Sequence, residues 1–175
     1  MYKEEAVYNS DGEKVRSKIT QFTGRFHEEK GYSLYAYGNT ISGRKSVHFP
    51  KDMSKSEIAN LALLSRHLSF GTNALVYKSK DKYIPMGRKQ IGTVITLGER
   101  QNARFLKRME ALGIIKKVDA PIMGGTEERY IMNPLYYLNG KHISDYLYWT
   151  FQEHFERTLP AWVNEEYRKR KGGGV

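Results

Sequence analysis

The stretch at residues 86–118, MGRKQIGTVITLGERQNARFLKRMEALGIIKKV, contains the pattern that decides the fold. Its apolar spacing predicts a short helix over residues 87–95 and a second helix over 99–112, separated by a turn at 96–98. Gly92 stands where two such helices approach closely, a place that only a small side chain tolerates. The stretch therefore predicts a helix-turn-helix.

The second predicted helix has two different faces. With 3.6 residues per turn, residues three and four apart in sequence share a face. The largely apolar face consists of Asn102, Phe105, Leu106, Met109 and Leu112. The other face consists of Arg100, Arg104, Lys107, Arg108 and Ala111. The arginines and lysines therefore form a basic stripe on the side away from the core.

The flanking segments complete a known arrangement. Ser54 followed by Glu57 is a capping-box pattern that predicts the start of an earlier helix, and a short hairpin is predicted around residues 78–82. After the second helix, residues 114–118 and 129–132 predict two strands joined by a turn over 120–128. Helix, helix-turn-helix and two-stranded wing is the order of a winged helix-turn-helix domain.

The ends of the chain have weaker patterns. The first 20 or so residues predict a loose arm in which Val15 and Ile19 could begin a strand, and the alternation over 33–37 and 46–49 predicts a β-hairpin. The fold class expected is α+β, a winged helix-turn-helix core with an N-terminal β-hairpin and a C-terminal helical extension. The expected division is an arm and hairpin (1–50), the DNA-binding domain (51–142) and the extension with a basic tail (143–175).

Positive charge is concentrated in the helix-turn-helix. The chain has 29 Lys and Arg against 19 Asp and Glu, a net charge of +10. Residues 87–117 contain eight basic and two acidic residues, whereas residues 118–164 are net acidic. This clustering of positive charge indicates a polyanionic partner such as nucleic acid. The alternative explanation is a charged surface that only keeps the protein in solution. The absence of cysteine excludes disulfides, thiolate metal sites and cysteine nucleophiles.

Four segments resemble one family. They are KDMSKSEI (51–58), LGERQNARFLKR (97–108), LGIIKK (112–117) and YIMNPLYYLNGK (130–141). Together they are similar to the RepL-type winged-helix replication proteins of Gram-positive plasmids and their phages, over residues 45–155. The resemblance implies a DNA-binding initiator or regulator of replication, and it makes residues 99–108 the recognition helix.

Each basic residue of this region has an expected role at double-stranded DNA. Base edges are assigned to Arg100, Gln101 and Arg104. Phosphates are assigned to Lys107, Arg108, Arg88 and Lys89, and at the base of the wing to Arg129, Lys116 and Lys117. Glu127 and Glu128, placed at the predicted wing tip, would repel phosphates, so deep insertion of the wing is not expected.

The C-terminal segment has an aromatic, apolar helix face. Its residues are Leu147, Phe151, Phe155 and Leu159, with Trp162 beside them. Either this face packs back on the core, or it forms a homodimer interface that matches two DNA half-sites. The basic cluster at 168–171 predicts a solvated tail that adds nonspecific phosphate contact or only solubilises the chain.

Catalytic chemistry is not expected. Residues 38–46 nearly match a phosphate-binding loop, but Arg44 stands where the motif needs lysine, and the five histidines show no pair at metal-ligand spacing. We therefore expect a non-enzymatic DNA-binding protein without metal or cofactor, cytoplasmic and nucleoid-associated in a bacterial host, without membrane contact. A replication initiator, a transcription regulator with the same surface, and a winged-helix protein-binding or inhibitory protein remain as hypotheses. Host replication or transcription proteins are further expected partners.

Overall fold

The computed structural model describes residues 2–8, 14–21, 26–33, 49–122 and 125–172, which form a mixed α and β structure with small sheets. The helices are α1 (Lys55–Ser65), α2 (Arg88–Val94), α3 (Glu99–Ala111), α4 (Asp145–Thr150), α5 (Gln152–Thr158) and α6 (Ala161–Gly172). The strands are β1 (Tyr2–Tyr8), β2 (Lys14–Gln21), β3 (Phe26–His27), β4 (Gly31–Ser33), β5 (Val76–Ser79), β6 (Lys82–Pro85), β7 (Ile115–Ile122), β8 (Gly125–Met132) and β9 (His142–Ile143).

All the described strand pairs are antiparallel. β1 pairs with β2, β5 with β6 and β7 with β8, while β4 lies between β3 and β9. The prediction of a loose arm at the N-terminus is wrong for β1, which pairs with β2, whereas the strand expected around Val15 and Ile19 is confirmed as β2. The hairpin predicted over 33–37 and 46–49 falls almost wholly on residues 34–48, outside the described residues.

The first core lies between α1, α2 and α3. The capping box predicted at the start of α1 is present, with the Ser54 hydroxyl accepting from the Glu57 amide at 3.2 Å. Leu61 and Leu64 of α1 are fully buried against Ile91 of α2 and Met109 of α3. The helical spacing read from the sequence is therefore the spacing of buried side chains. The two central helices begin at Arg88 and Glu99, within a residue of the predicted bounds.

A second core lies on the other side of β8. Tyr130 and Met132 face the first core, whereas Ile131 between them faces the second, because successive side chains of a strand point to opposite faces. The following loop continues this division, with Tyr136 in the first core and Leu135 in the second. Residues 130–138 thus form a wall shared by both cores, and the predicted boundary at 142/143 falls inside β9.

Of the two arrangements considered for the C-terminal apolar face, the structure shows packing on the chain's own core, so these residues do not form a homodimer interface. Leu147, Phe151, Phe155 and Leu159 are between 0 and 6% exposed, and they pack inside the chain's own second core, with Trp162 partly buried against it. Burial of each such side chain stabilises the fold by about 1.5–3 kcal/mol, so they are not available to a partner. The helices pack back on the wall and on β4 instead.

The basic cluster at 168–171 belongs to a helix and not to a loose tail, and the side chains of Arg168 and Lys169 are exposed. It lies in α6, where Arg168 pairs with Glu156 at 2.9 Å and Lys169 with Glu166 at 2.7 Å. Arg170 pairs with Asp145 at 2.7 Å, and its guanidinium lies over the ring of Phe26. These contacts neutralise much of the cluster and attach α6 to β3 and α4.

Buried asparagines fix the loops around the wall. The Asn73 side chain donates to the carbonyls of Met132 and Tyr137 at 2.8 and 2.7 Å, and its oxygen accepts from the Asn139 amide. The Asn133 side chain donates to the Gly113 carbonyl, beyond the end of α3, at 2.8 Å. The Met-Asn-Pro segment and the Asn-Gly-Lys segment of the family resemblance thus hold the wall against the end of α3 and the start of β5.

The Tyr167 hydroxyl joins three elements, which gives a first testable prediction. It accepts from the Tyr32 amide of β4 at 2.8 Å and donates to the Ile143 carbonyl of β9. Tyr167→Phe leaves both buried backbone groups without that partner, so it is expected to lower the free energy of unfolding by about 1–3 kcal/mol. Tyr146→Phe is the control, because Tyr146 is 48% exposed. Equal urea midpoints for the two variants would contradict the prediction.

Candidate nucleic-acid interface

The exposed face of α3 is basic. Arg100, Gln101, Arg104 and Lys107 are exposed, and none forms a hydrogen bond or ion pair with another described residue. On the opposite face Asn102, Phe105, Leu106 and Met109 are buried. The structure thus places four of the predicted site residues together on one helix surface, where no described residue occupies their hydrogen-bonding groups.

The position of α3 against α2 depends on a close contact. A side chain at Gly92 would approach the Asn102 amide nitrogen to 2.9 Å and the Leu97 carbonyl to 3.1 Å. The same Asn102 nitrogen donates to the Arg88 carbonyl at 2.6 Å, which joins the first turn of α2 to α3. The close approach predicted at Gly92 is therefore present, and it fixes the orientation of the basic face.

The start of α2 adds basic groups beside α3. Lys89 is exposed and without a partner among the described residues. Arg88 is exposed and lies beside Tyr130 and Glu128 of β8, contacts that raise its pKa. Arg88, Lys89 and Glu128 line an open cleft of about 940 Å³ that also includes Gly98 and Asn102. Gly98 provides no side-chain cap for α3, so the first amides of this helix face the cleft uncapped.

Arg108 has intramolecular partners instead of the predicted phosphate. Its guanidinium donates to Glu57 at 2.7 Å and to Asp52 at 3.0 Å, and it also reaches the Asp52 carbonyl at 2.9 Å. These bonds connect α3 to the start of α1. We therefore treat Arg108 as a positioning residue for α3.

The β7–β8 hairpin has its charges paired. The predicted turn over 120–128 is wrong, because the strands continue to Ile122 and from Gly125. Glu127 and Glu128 therefore lie within β8, where Glu127 pairs with Arg129 at 3.0 Å and Glu128 pairs with Lys117. The Tyr130 hydroxyl donates to Glu128 at 2.6 Å.

These pairs change the titration of the hairpin. The hydrogen bond from Lys117 is the main reason that the pKa of Glu128 is lowered, and the same bond raises the pKa of Lys117. Burial raises the pKa of Tyr130 to about 12. Glu128 and Lys117 are therefore both charged at neutral pH, and they neutralise one another across the strands.

Lys116 points away from α3. Its ammonium donates to the Thr150 carbonyl at the end of α4, at 2.9 Å. The carbonyls at the end of a helix carry partial negative charge, so a lysine stabilises them. Ten residues were predicted at DNA. Five have intramolecular partners, namely Arg88, Arg108, Lys116, Lys117 and Arg129. The other five have none among the described residues, namely Lys89, Arg100, Gln101, Arg104 and Lys107.

The Ser54–Glu57–Arg108 contact gives a prediction for the pH dependence of stability. The pKa of Glu57 is lowered from about 4.5, first by the hydrogen bond from the Ser54 amide and also by Arg108. A carboxylate whose pKa is lower in the folded state than in the unfolded state stabilises the fold when the pH is above its unfolded-state pKa. This stabilisation is lost as the pH falls through the folded-state pKa. Glu57→Gln is therefore expected to lower stability at neutral pH and to reduce the further loss of stability below about pH 4.5.

Urea unfolding at neutral pH and at about pH 3.5 measures this effect. Glu29→Gln is the matched control, because Glu29 is exposed in the turn between β3 and β4. An unchanged acid dependence in Glu57→Gln would contradict the role assigned to this carboxylate.

The described residues contain neither a membrane-spanning helix nor a cluster of metal-ligating side chains. No described helix has both the length and the hydropathy needed to cross a membrane. Within the same residues, no three histidine, aspartate or glutamate side chains come together as metal ligands would. Three exposed lysines lie in the β5–β6 hairpin: Lys78 in β5, Lys80 in the turn and Lys82 in β6.

Comparison of the chain with protein-family models, with curated proteins and with solved structures finds no match.

Proposed function

We propose that the protein binds double-stranded DNA sequence-specifically through a winged helix-turn-helix, with α3 in the major groove. The observation that carries the proposal is the exposed row of Arg100, Gln101, Arg104 and Lys107. These side chains have no partner among the described residues, and the other face of their helix is buried. Arginine and glutamine side chains recognise guanine and adenine edges by paired hydrogen bonds.

The order of elements supports this reading. α1, α2 and α3 are followed by the β7–β8 hairpin, which corresponds to the wing. Helix α2 presents Lys89 and Arg88 next to the N-terminus of α3, where backbone phosphates would lie beside the groove. Arg108 is assigned to the positioning of α3. The wing is expected to contribute less to DNA binding than a wing with free cations would, because its lysine and arginine are paired with glutamates.

Within this activity we propose a replication initiator of the RepL type. The support is the resemblance of residues 45–155, including the recognition-helix segment LGERQNARFLKR. A transcription regulator would use the same α3 surface, so the location of the bound site separates the two functions.

Selection of binding sites from the fragmented DNA of the replicon that encodes the protein tests the proposal. Enriched repeats inside a replication origin support the initiator, and enriched operators that overlap promoters support the regulator. Recovery of no specific site, with folded protein at controlled salt, would refute sequence-specific DNA binding and favour a protein-binding role.

A further inference from the structure

The β5–β6 hairpin has a basic surface that the proposed function does not use. The segment KSKDK at residues 78–82 covers the end of β5, the turn and the start of β6, and it contains three lysines and one aspartate. Lys78, Lys80 and Lys82 are exposed and form no hydrogen bond or ion pair with other described residues. In contrast, Lys117 and Arg129 of the β7–β8 hairpin are both neutralised by glutamates.

An exposed aromatic ring accompanies these lysines. Tyr83 is 72% exposed, and in the register of the hairpin it lies directly across from Lys78. Paired residues of an antiparallel hairpin share a face, so the tyrosine ring and the Lys78 ammonium are neighbours. The phenol of tyrosine and the ammonium of lysine are both common donors to phosphate oxygens.

The direction of the hairpin follows from its attachment to β8. Ala74, just before β5, forms an antiparallel bridge with Ile131, and the Leu75 amide donates to the Tyr130 carbonyl at 2.8 Å. β8 runs from the β7–β8 turn towards the core, so β5 runs from the core towards the end at which that turn lies. The β5–β6 hairpin therefore extends on the same end of the structure as the wing.

The returning strand leads directly to the proposed DNA site. β6 ends at Pro85, and α2 begins with Arg88 and Lys89 three residues later. Four strand residues span about 13 Å, a distance of about four base pairs along DNA. The lysines are thus placed to reach the phosphates next to those that Arg88 and Lys89 contact.

We propose that the β5–β6 hairpin is a second DNA-backbone clamp, in which Lys78, Lys80, Lys82 and Tyr83 bind phosphates flanking the site that α3 reads. This inference rests on the proposed function and deepens it. It assigns to β5–β6 the backbone contact that the charge-paired wing is poorly suited to make.

The test compares two duplexes that share the selected site. One ends at the site, and the other adds about five base pairs on each side. The unmodified protein is expected to bind the longer duplex more tightly. The triple variant Lys78→Gln, Lys80→Gln, Lys82→Gln is expected to lose this length dependence. The negative slope of log K against log salt is expected to become less steep by about 2–3, because fewer phosphates are neutralised. The preferred site sequence is expected to stay unchanged.

The charge-matched control is Lys30→Gln, Lys141→Gln, Lys169→Gln, whose lysines are exposed and lie outside the α2–α3 region. Equal losses in the two triple variants, or a length dependence that survives in the hairpin variant, would overturn the clamp while leaving DNA binding intact. Failure of the unmodified protein to bind any duplex specifically would refute the proposed function itself and the clamp with it. Because all the replaced side chains are exposed, thermal unfolding is expected to be unchanged, which separates lost contact from lost folding.

Discussion

Replacement of Gly31 by alanine is expected to destabilise the protein by at least about 3 kcal/mol. Gly31 has a φ of +85°, a conformation that costs a residue with a side chain about 1–2 kcal/mol. In addition, its Cβ would overlap the Ile143 carbonyl and would lie 2.8 Å from the Tyr167 hydroxyl. The substitution therefore displaces β4 from β9 and breaks the hydrogen bonds of Tyr167 together.

Two glycines provide controls that separate these costs. Gly71 also has a positive φ, +76°, but its added Cβ meets nothing within 4 Å, so Gly71→Ala is expected to cost only about 1–2 kcal/mol. Gly98 has a φ of −63° and open space around it, so Gly98→Ala is expected to have little effect on stability. Urea unfolding of the three variants measures the order of their stabilities. A Gly31 variant no less stable than the Gly71 variant would contradict the packing described around Tyr167.

Local periodicity was sufficient to predict α2 and α3. The apolar residues of α3 recur at helical spacing, and the side chains that fill the core are within one helix turn of each other in sequence. Gly92 and Asn102 are ten residues apart, and their contact follows once the two helices are in place. For the same reason the basic face of Arg100, Arg104 and Lys107 could be predicted without the structure.

The surroundings of the C-terminal apolar face could not be predicted in the same way. The spacing of Leu147, Phe151 and Phe155 indicates that one face is buried, but it carries no information about which surface covers it. The cover comes from distant parts of the chain, including Tyr32 of β4 and Ile131 of β8. Sequence analysis left packing on the core and dimerisation open, and the structure places these side chains in the intrachain core.

The roles of single cations depended on strand register. The predicted turn over 120–128 placed Glu127 and Glu128 at the tip of the hairpin and Lys117 and Arg129 at its base. In the observed register Lys117 pairs with Tyr130 across the strands, so Glu128 lies diagonal to it and neutralises it. A one-dimensional charge count cannot resolve such pairs, and it also missed the ion pairs of Arg108 with Asp52 and Glu57.

The double variant Arg100→Ala, Arg104→Ala is expected to cause the largest loss of specific DNA binding. Both side chains are exposed on α3 without a described partner, so their loss removes no hydrogen bond or ion pair within the described residues. Each arginine that pairs with a guanine contributes about 1–3 kcal/mol of discrimination, and two such contacts on separate bases add to about 2–6 kcal/mol. The expected loss of affinity for the selected site is about 30-fold to 20,000-fold.

Nonspecific binding provides the internal comparison for this variant. The variant is expected to keep most of its affinity for unrelated duplex DNA, because Lys89, Lys107 and the β5–β6 lysines are unchanged. Arg66→Ala, Arg157→Ala is the charge-matched control, since both arginines are exposed at the end of α1 and on α5. Affinities for the selected site and for a scrambled site are measured at one fixed salt concentration, because the electrostatic contribution changes steeply with salt. If the ratio of these two affinities is unchanged in the α3 variant, Arg100 and Arg104 do not contact bases, and α3 is not the reading helix.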